Sequence, residues 1–334
     1  MLHRPHPLHR PRLFLTALAA ASLLGCSAGR PAPPSPTPAA APAPAERTDP
    51  VLQAELERLV RAFPADAGVY VRHLPTGRSA AVHADTIFPT ASMIKVPILL
   101  ATFQAFEDGR LRHDTLLVYT DSLNYDGEDI LNRFRDGGTI RPAKLVMLML
   151  TMSDNTASLW LQHLAGTGTA INAWLERHGF RHTRVNSRTP GRRPDWERWG
   201  WGQTTPREMA ELLVMIREGR AVSRAASEEM YRALTRTYWT GEAVSRIPPW
   251  VQAATKQGAV DQSRSEVFLV NAPGGDYVVC VITKHQQDTS YDAGNLGYVL
   301  LRDVSALVWG HFEPGHPYTP APGAERFKPN DSEE

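Results

Sequence analysis

Strand-like and helix-like patterns are not interleaved along this chain. Period-two segments stand at both ends of residues 50–312, and helical periodicities fill the middle. Gly68–Leu74 and Ser79–Ala84 alternate apolar and polar residues around Pro75-Thr76-Gly77-Arg78, the pattern of a β-hairpin. Strands return at Val251–Val260, Glu266–Ala272 and Asp276–Lys284, the last two joined by Pro273-Gly274-Gly275. Between them lie helical stretches at Ser92–Phe106, Pro142–Met152, Asn155–Leu164, Ala170–His178 and Pro206–Arg217. A sheet assembled from both ends of the body satisfies this order. It gives an α/β fold: an antiparallel sheet flanked by N- and C-terminal helices, an inserted all-helical domain, and a cleft where they meet. The flanking helices are Val51–Phe63, capped by Asp49, and a closing helix from Tyr291 to Trp309. The start at Thr205, with Pro206 at the first helical position and Glu208 placed for a reciprocal capping box, is the sharpest boundary in the chain.

The segment before this body is of another kind. Residues 1–12 carry Arg4, Arg10 and Arg12 without an acid, and Leu13–Leu24 is small and apolar, so residues 1–25 read as a signal peptide. Leu23-Leu24-Gly25-Cys26 resembles a bacterial lipobox, which makes Cys26 the lipidated new N-terminus; the alternative is cleavage nearby to a freely secreted protein. Residues 26–48, rich in Pro and Ala, form an extended tether, residues 49–313 the folded domain, and residues 314–334 a flexible tail. The expectation is an exported protein held by lipid to a membrane, on its periplasmic or cell-surface side, and monomeric. Loss of the three signal arginines takes the formal net charge from +1 to −2, and so balanced a body argues against nucleic acid as partner. Cys280, inside the apolar run Tyr277–Ile282, reads as a buried thiol, so no disulfide is expected.

Three short motifs occur in order: Ser92-Met93-Ile94-Lys95, Ser153-Asp154-Asn155 and Lys256-Gln257-Gly258. Ser92 and Lys95, three positions apart at a helix start, share one face, so the amine reaches the hydroxyl and can act as the base a serine nucleophile needs. Taken alone, the pair is equally a polar couple at a helix start, and Ser-Asp-Asn is also an ordinary N-cap string. Lysine usage sharpens the first reading: of 31 arginines and five lysines, two lysines fall in these motifs. An arginine stays charged, whereas a lysine desolvated beside another cation can lose its proton near neutral pH. The histidines show no metal-ligand spacing and no glycine-rich phosphate loop precedes a helix, so neither metal nor cofactor is implied.

Together the motifs resemble those of the class A β-lactamase family of penicillin-recognising serine hydrolases, over roughly residues 50–312. The resemblance implies a β-lactamase/transpeptidase-like fold and a nucleophilic Ser92 that opens a small β-lactam, or an acyl-peptide, through an acyl-enzyme. Lys95 would be the base, Ser153 the proton relay to the leaving nitrogen, Asn155 the holder of the acyl amide, Asp154 a brace for the loop, and Lys256 a source of positive potential. The N–H groups of Ser92 and Ala259 would form an oxyanion hole, and Gly258 would let substrate approach the strand closely. Arg264 is either a clamp for a substrate carboxylate or a solvated hairpin charge.

Two departures stand out. Gln257 replaces the hydroxyl residue that follows the lysine in the family and helps bind substrate, though an amide can donate there too. Thr189 falls where the family carries the glutamate that activates water for deacylation; Glu197 or Asp195 is the replacement base if the loop is re-registered, and otherwise the acyl-enzyme hydrolyses slowly. Rival readings are a D-alanyl peptidase or esterase of the same fold and a β-lactam-binding protein that turns over slowly. Trp196, Trp199 and Trp201 serve either the site or core packing.

Overall fold

The computed structural model describes residues 44–125, 129–322 and 324. The signal segment, Cys26 and most of the expected tether lie outside the described residues. The sheet is built from both ends of the chain. Its N-terminal strands are β1 (Arg47–Thr48), β2 (Asp66–His73) and β3 (Arg78–Val82), with helix α1 (Pro50–Ala62) between the first two. Its C-terminal strands are β4 (Ala253–Val260), β5 (Ser263–Val270) and β6 (Tyr277–Lys284). The order across the sheet is β1-β3-β2-β6-β5-β4, antiparallel except for the parallel β1–β3 edge.

That edge begins before the expected domain boundary at residue 49. Arg47 N–H donates to the Gly77 carbonyl, and Glu46 accepts from Tyr70 and Arg207, so residues 44–48 lie against the body and are not part of a free tether. The far end is likewise docked further than expected, since the Trp309 indole donates to the His316 carbonyl and Tyr318 packs on the core.

Alternation along each strand divides the interior in two. Val69, Val71, Phe268, Val270, Val279 and Val281 face α1 and the C-terminal helix (Leu296–Phe312), meeting Leu52, Leu56, Leu301 and Val304. Tyr70, Val267, Leu269, Val278, Cys280 and Ile282 face the helical insertion. β6 is thus buried on both faces, which is why its sequence is a continuous apolar run and why the Cys280 thiol is fully buried, with its pKa pushed up by desolvation.

In the insertion, Asn155–Leu164 and Pro206–Arg217 have the boundaries their sequences predict, with Thr205 accepting from the Glu208 N–H. The reciprocal half of the capping box does not form. Glu208 turns its carboxylate outward to accept from the N–H groups of Arg181, His182 and Thr183, tying the preceding loop to the helix instead. Two helices not singled out in the sequence, Arg193–Trp199 and Arg224–Leu234, complete the block.

Candidate active site

Ser92 lies in a tight 3-10 turn, Ala91–Ile94, from which helix α2 (Lys95–Glu107) continues. The expected single helix from Ser92 is therefore two windings, and the residue before it, Ala91, has a positive φ of 44°. Such a backbone costs a non-glycine residue about 1 kcal/mol or more, and it holds Ser92 at the lip of the cleft. The turn is fixed from the sheet side by Gly258. A Cβ there would fall 2.8 Å from the Thr90 carbonyl oxygen and 2.9 Å from the Ser92 nitrogen, so the glycine lets β4 press directly on the backbone of Ser92. Gly258 also lines the cleft, so this packing role stands beside the expected one.

Ser153 reaches the same point from the opposite wall. The helix Pro142–Met147 ends in a wider π turn, Leu148–Met152, and Ser153 closes it in the left-handed conformation, φ 62°. Buried carboxylates hold this reversal. Asp154 accepts from Ala157 N–H at 2.7 Å and from Leu131 N–H, while Asp129 accepts from the N–H groups of Asn155 and Thr156 at 2.8 and 2.7 Å. Asp129 had no signal in the sequence, because its role depends on a chain segment some 25 residues away.

Lys95 is fully buried between these walls. Its Nζ lies 3.1 Å from Ser92 Oγ, 3.0 Å from Ser153 Oγ and 2.8 Å from Asn155 Oδ1, and it also donates to the Ser153 carbonyl. Two of these partners, the carbonyl and the amide oxygen, can only accept. A neutral amine has two N–H donors, which those acceptors use, leaving its lone pair toward the hydroxyls. Burial brings the Lys95 pKa down to about 7, against the opposing charges of Asp129 and Asp154, so the neutral form exists under ordinary conditions.

Lys256, also fully buried, donates from Nζ to Ser153 Oγ at 3.1 Å and to the Gln257 carbonyl and side-chain oxygens at 2.9 and 2.7 Å. Burial and then the Lys95 charge push its pKa well down, while Glu242 and Glu266 oppose that shift. Glu266 is pushed up to about 8 by burial and by its neighbour Glu242. This acidic pair beneath Lys256 is a second feature the motifs do not disclose. Gln257 directs its amide oxygen at Lys256, so it supports the lysine first.

Ser92, Asn155 and Ala259 all line the cleft, as expected. Arg264 does not. Its guanidinium is buried against the rings of Tyr291 and Tyr298, 4.5 and 4.9 Å from their centroids, and donates to the carbonyls of Val260, Ser263, Thr289 and Ser290. Neither a carboxylate clamp nor a solvated charge describes it; it locks the β4–β5 hairpin to the loop before the C-terminal helix.

The wall facing Ser92 from the helix Arg193–Trp199 presents Arg198, Trp199, Gly200 and Trp201. Trp199 and Trp201 thus line the cleft, and Trp201 also packs on the helical core. Glu197 is outside its lining, largely exposed, and paired with Arg193 at 2.7 Å. Asp195 pairs with Arg192 at 3.0 Å. Thr189 Oγ1 donates to the Ser187 carbonyl and faces a neighbouring groove. The structure therefore brings none of the candidate deacylation bases to Ser92. Among the described residues no group of His, Cys, Asp and Glu side chains is arranged to hold a metal ion.

Residues 51–312 match the model of a family described as the Beta-lactamase enzyme family. Among curated relatives, the β-lactamase VEB-1 of Pseudomonas aeruginosa is 19% identical over 78% of this chain and 90% of its own length. A β-lactamase of Streptomyces fradiae is 25% identical over 77% of this chain and 85% of its own. Among solved structures, a point mutant of PBP-A in an acyl-enzyme complex with penicillin-G superposes with a TM-score of 0.73, at 28% identity, over 81% of this chain and 99% of that one.

Proposed function

We propose that this chain, which belongs to the Beta-lactamase enzyme family, is a serine hydrolase that opens β-lactam amides through an acyl-enzyme on Ser92. The observation that carries this reading is the position of Lys95 Nζ within hydrogen-bonding reach of both Ser92 Oγ and Ser153 Oγ, with its two donors already engaged. Neutral Lys95 takes the Ser92 proton as Oγ attacks the carbonyl carbon, and the N–H groups of Ser92 and Ala259 receive the developing oxyanion. The amide C–N bond then breaks, and Ser153 hands a proton to the nitrogen while Lys95 returns to it the proton taken from Ser92 and Lys256 steadies its oxygen by a hydrogen bond. Water finally cleaves the acyl ester. Turnover of a chromogenic cephalosporin by the wild-type protein, abolished in Ser92→Ala, tests this; equal turnover in both sinks it.

The last step is the slow one. The wall formed by residues 198–201 offers no carboxylate to activate water, and this favours a second reading in which the acyl-enzyme persists and the protein acts on β-lactams with a stoichiometric burst followed by a low steady rate.

The export signal and the lipobox around Cys26 support a lipid-anchored location outside the cytoplasmic membrane, and the expected state is a monomer. In fractionated cells, Cys26→Ala releases the protein from the membrane; retention of the variant contradicts the anchor. Sedimentation of the released protein at the mass of one chain checks the monomer.

A further inference from the structure

The cleft has two lobes that meet at Ser92, and the proton relay fixes which half of a substrate each receives. Ser153, which serves the leaving nitrogen, lines the smaller lobe of about 470 Å³ but not the larger one of about 550 Å³. The leaving half therefore lies in the smaller lobe and the acyl half in the larger. This assignment rests on the function proposed above.

The lobes differ in the charges they present. Among the described residues Asp129, Asp154 and Glu242 line the leaving lobe, with Lys95 and Lys256 just behind its wall, 3.0 and 3.1 Å from Ser153 Oγ, to meet the carboxylate that a penicillin carries on its leaving half. The acyl lobe is lined by Arg198, Lys284 and His285, with Asp261 on the β4–β5 turn the one carboxylate among the described residues that line it. Arg198 and Lys284 converge on a single indole: the guanidinium carbon is 4.7 Å and the ammonium nitrogen 5.2 Å from the Trp199 ring centroid. Lys284 Nζ is also 4.6 Å from the Phe88 centroid and donates to the Ile87 carbonyl at 2.9 Å. Its neighbour across the sheet, Asp66, is engaged by His285 at 2.9 Å. Among the described residues no carboxylate forms an ion pair with Arg198 or with Lys284. A half-buried ammonium over aromatic rings, next to a second cation, binds an anion more strongly than a fully solvated one does.

We propose that Lys284 and Arg198 are specificity residues that select acyl donors carrying a carboxylate, or a comparable anionic group, on the acyl half. The cationic lobe attracts the anion, while Ser153 fixes the orientation in which the acyl half meets it.

The test uses two penicillins that share a leaving half. Carbenicillin is benzylpenicillin with one added carboxylate on its acyl side chain. The second-order rate constant for acylating Ser92, read by intact-mass spectrometry, is about tenfold higher for carbenicillin in the wild-type protein. Lys284→Met and Arg198→Gln each bring the carbenicillin-to-benzylpenicillin ratio toward one, and added salt lowers it in the wild type. Thermal unfolding of both variants checks that they fold, and Arg198, exposed on its helix, supplies the variant least disturbing to packing. A ratio near one in the wild-type protein, or one unchanged in both variants, overturns the proposal. Adducts with neither penicillin overturn the assignment of Ser92 itself, a result distinct from equal adducts with both.

Discussion

The two walls that face Ser92 are built to different tolerances. On the Ser153 side, Lys95, Asn155, Asp129 and Asp154 are joined by hydrogen bonds that fix each polar atom about the nucleophile. On the side of residues 198–201, contacts are aromatic and cationic, Glu197 pairs outward with Arg193, and among the described residues the one carboxylate lining that lobe is Asp261 on the β4–β5 turn. Bond formation at Ser92 is thus preorganised and bond hydrolysis is not, so acylation and deacylation belong to separate regions and should respond separately to mutation.

The largest effect should follow from Ser92→Ala, which leaves no covalent adduct with any penicillin by mass spectrometry. Lys95→Met should slow acylation by about 10²–10⁴-fold while the protein remains folded, since the general base is lost but the nucleophile remains. Acylation by the wild type should also rise with pH through about 7 and then level off, because Lys95 is a base only when neutral and its folded pKa is lowered to that value by burial. A rate independent of pH between about 5 and 9 would remove Lys95 from that role. Arg264→Ala should act on stability, lowering it by about 2–4 kcal/mol in denaturant unfolding, because a buried side chain is lost and carbonyl partners are left without a donor; an unchanged midpoint with weakened penicillin binding would restore the clamp. The smallest effect is expected of Glu197→Gln: its deacylation rate should match that of the wild type, and a large drop would show that the two walls share the work after all.

What the sequence discloses follows from how local each feature is. The helix starts at Asn155 and Pro206 were legible because capping and proline geometry act within one turn. The three motifs identified Ser92, Lys95, Ser153, Asn155 and Lys256, and the fold brings them together. Arg264 was not legible, because its direction depends on strand parity. It points to the same face as Phe268 and Val270, toward the C-terminal helix, where the space a Gly297 side chain would fill is occupied by the Arg264 stem. Glu208 was misread for a related reason: its capping partner was nearby in sequence, but three N–H groups of residues 181–183, brought close by the tertiary fold, compete better for its carboxylate. The parallel edge strand at Arg47–Thr48 hid within proline-rich sequence, since two residues carry no periodicity.

The most direct test of this division of labour is the mass of the protein followed through time after mixing with benzylpenicillin. The account predicts an adduct on Ser92 that forms quickly and decays slowly, with a lifetime unaffected by Glu197→Gln. An adduct that clears within the time it takes to form would contradict it, by showing that a working base stands on the wall where the structure places none.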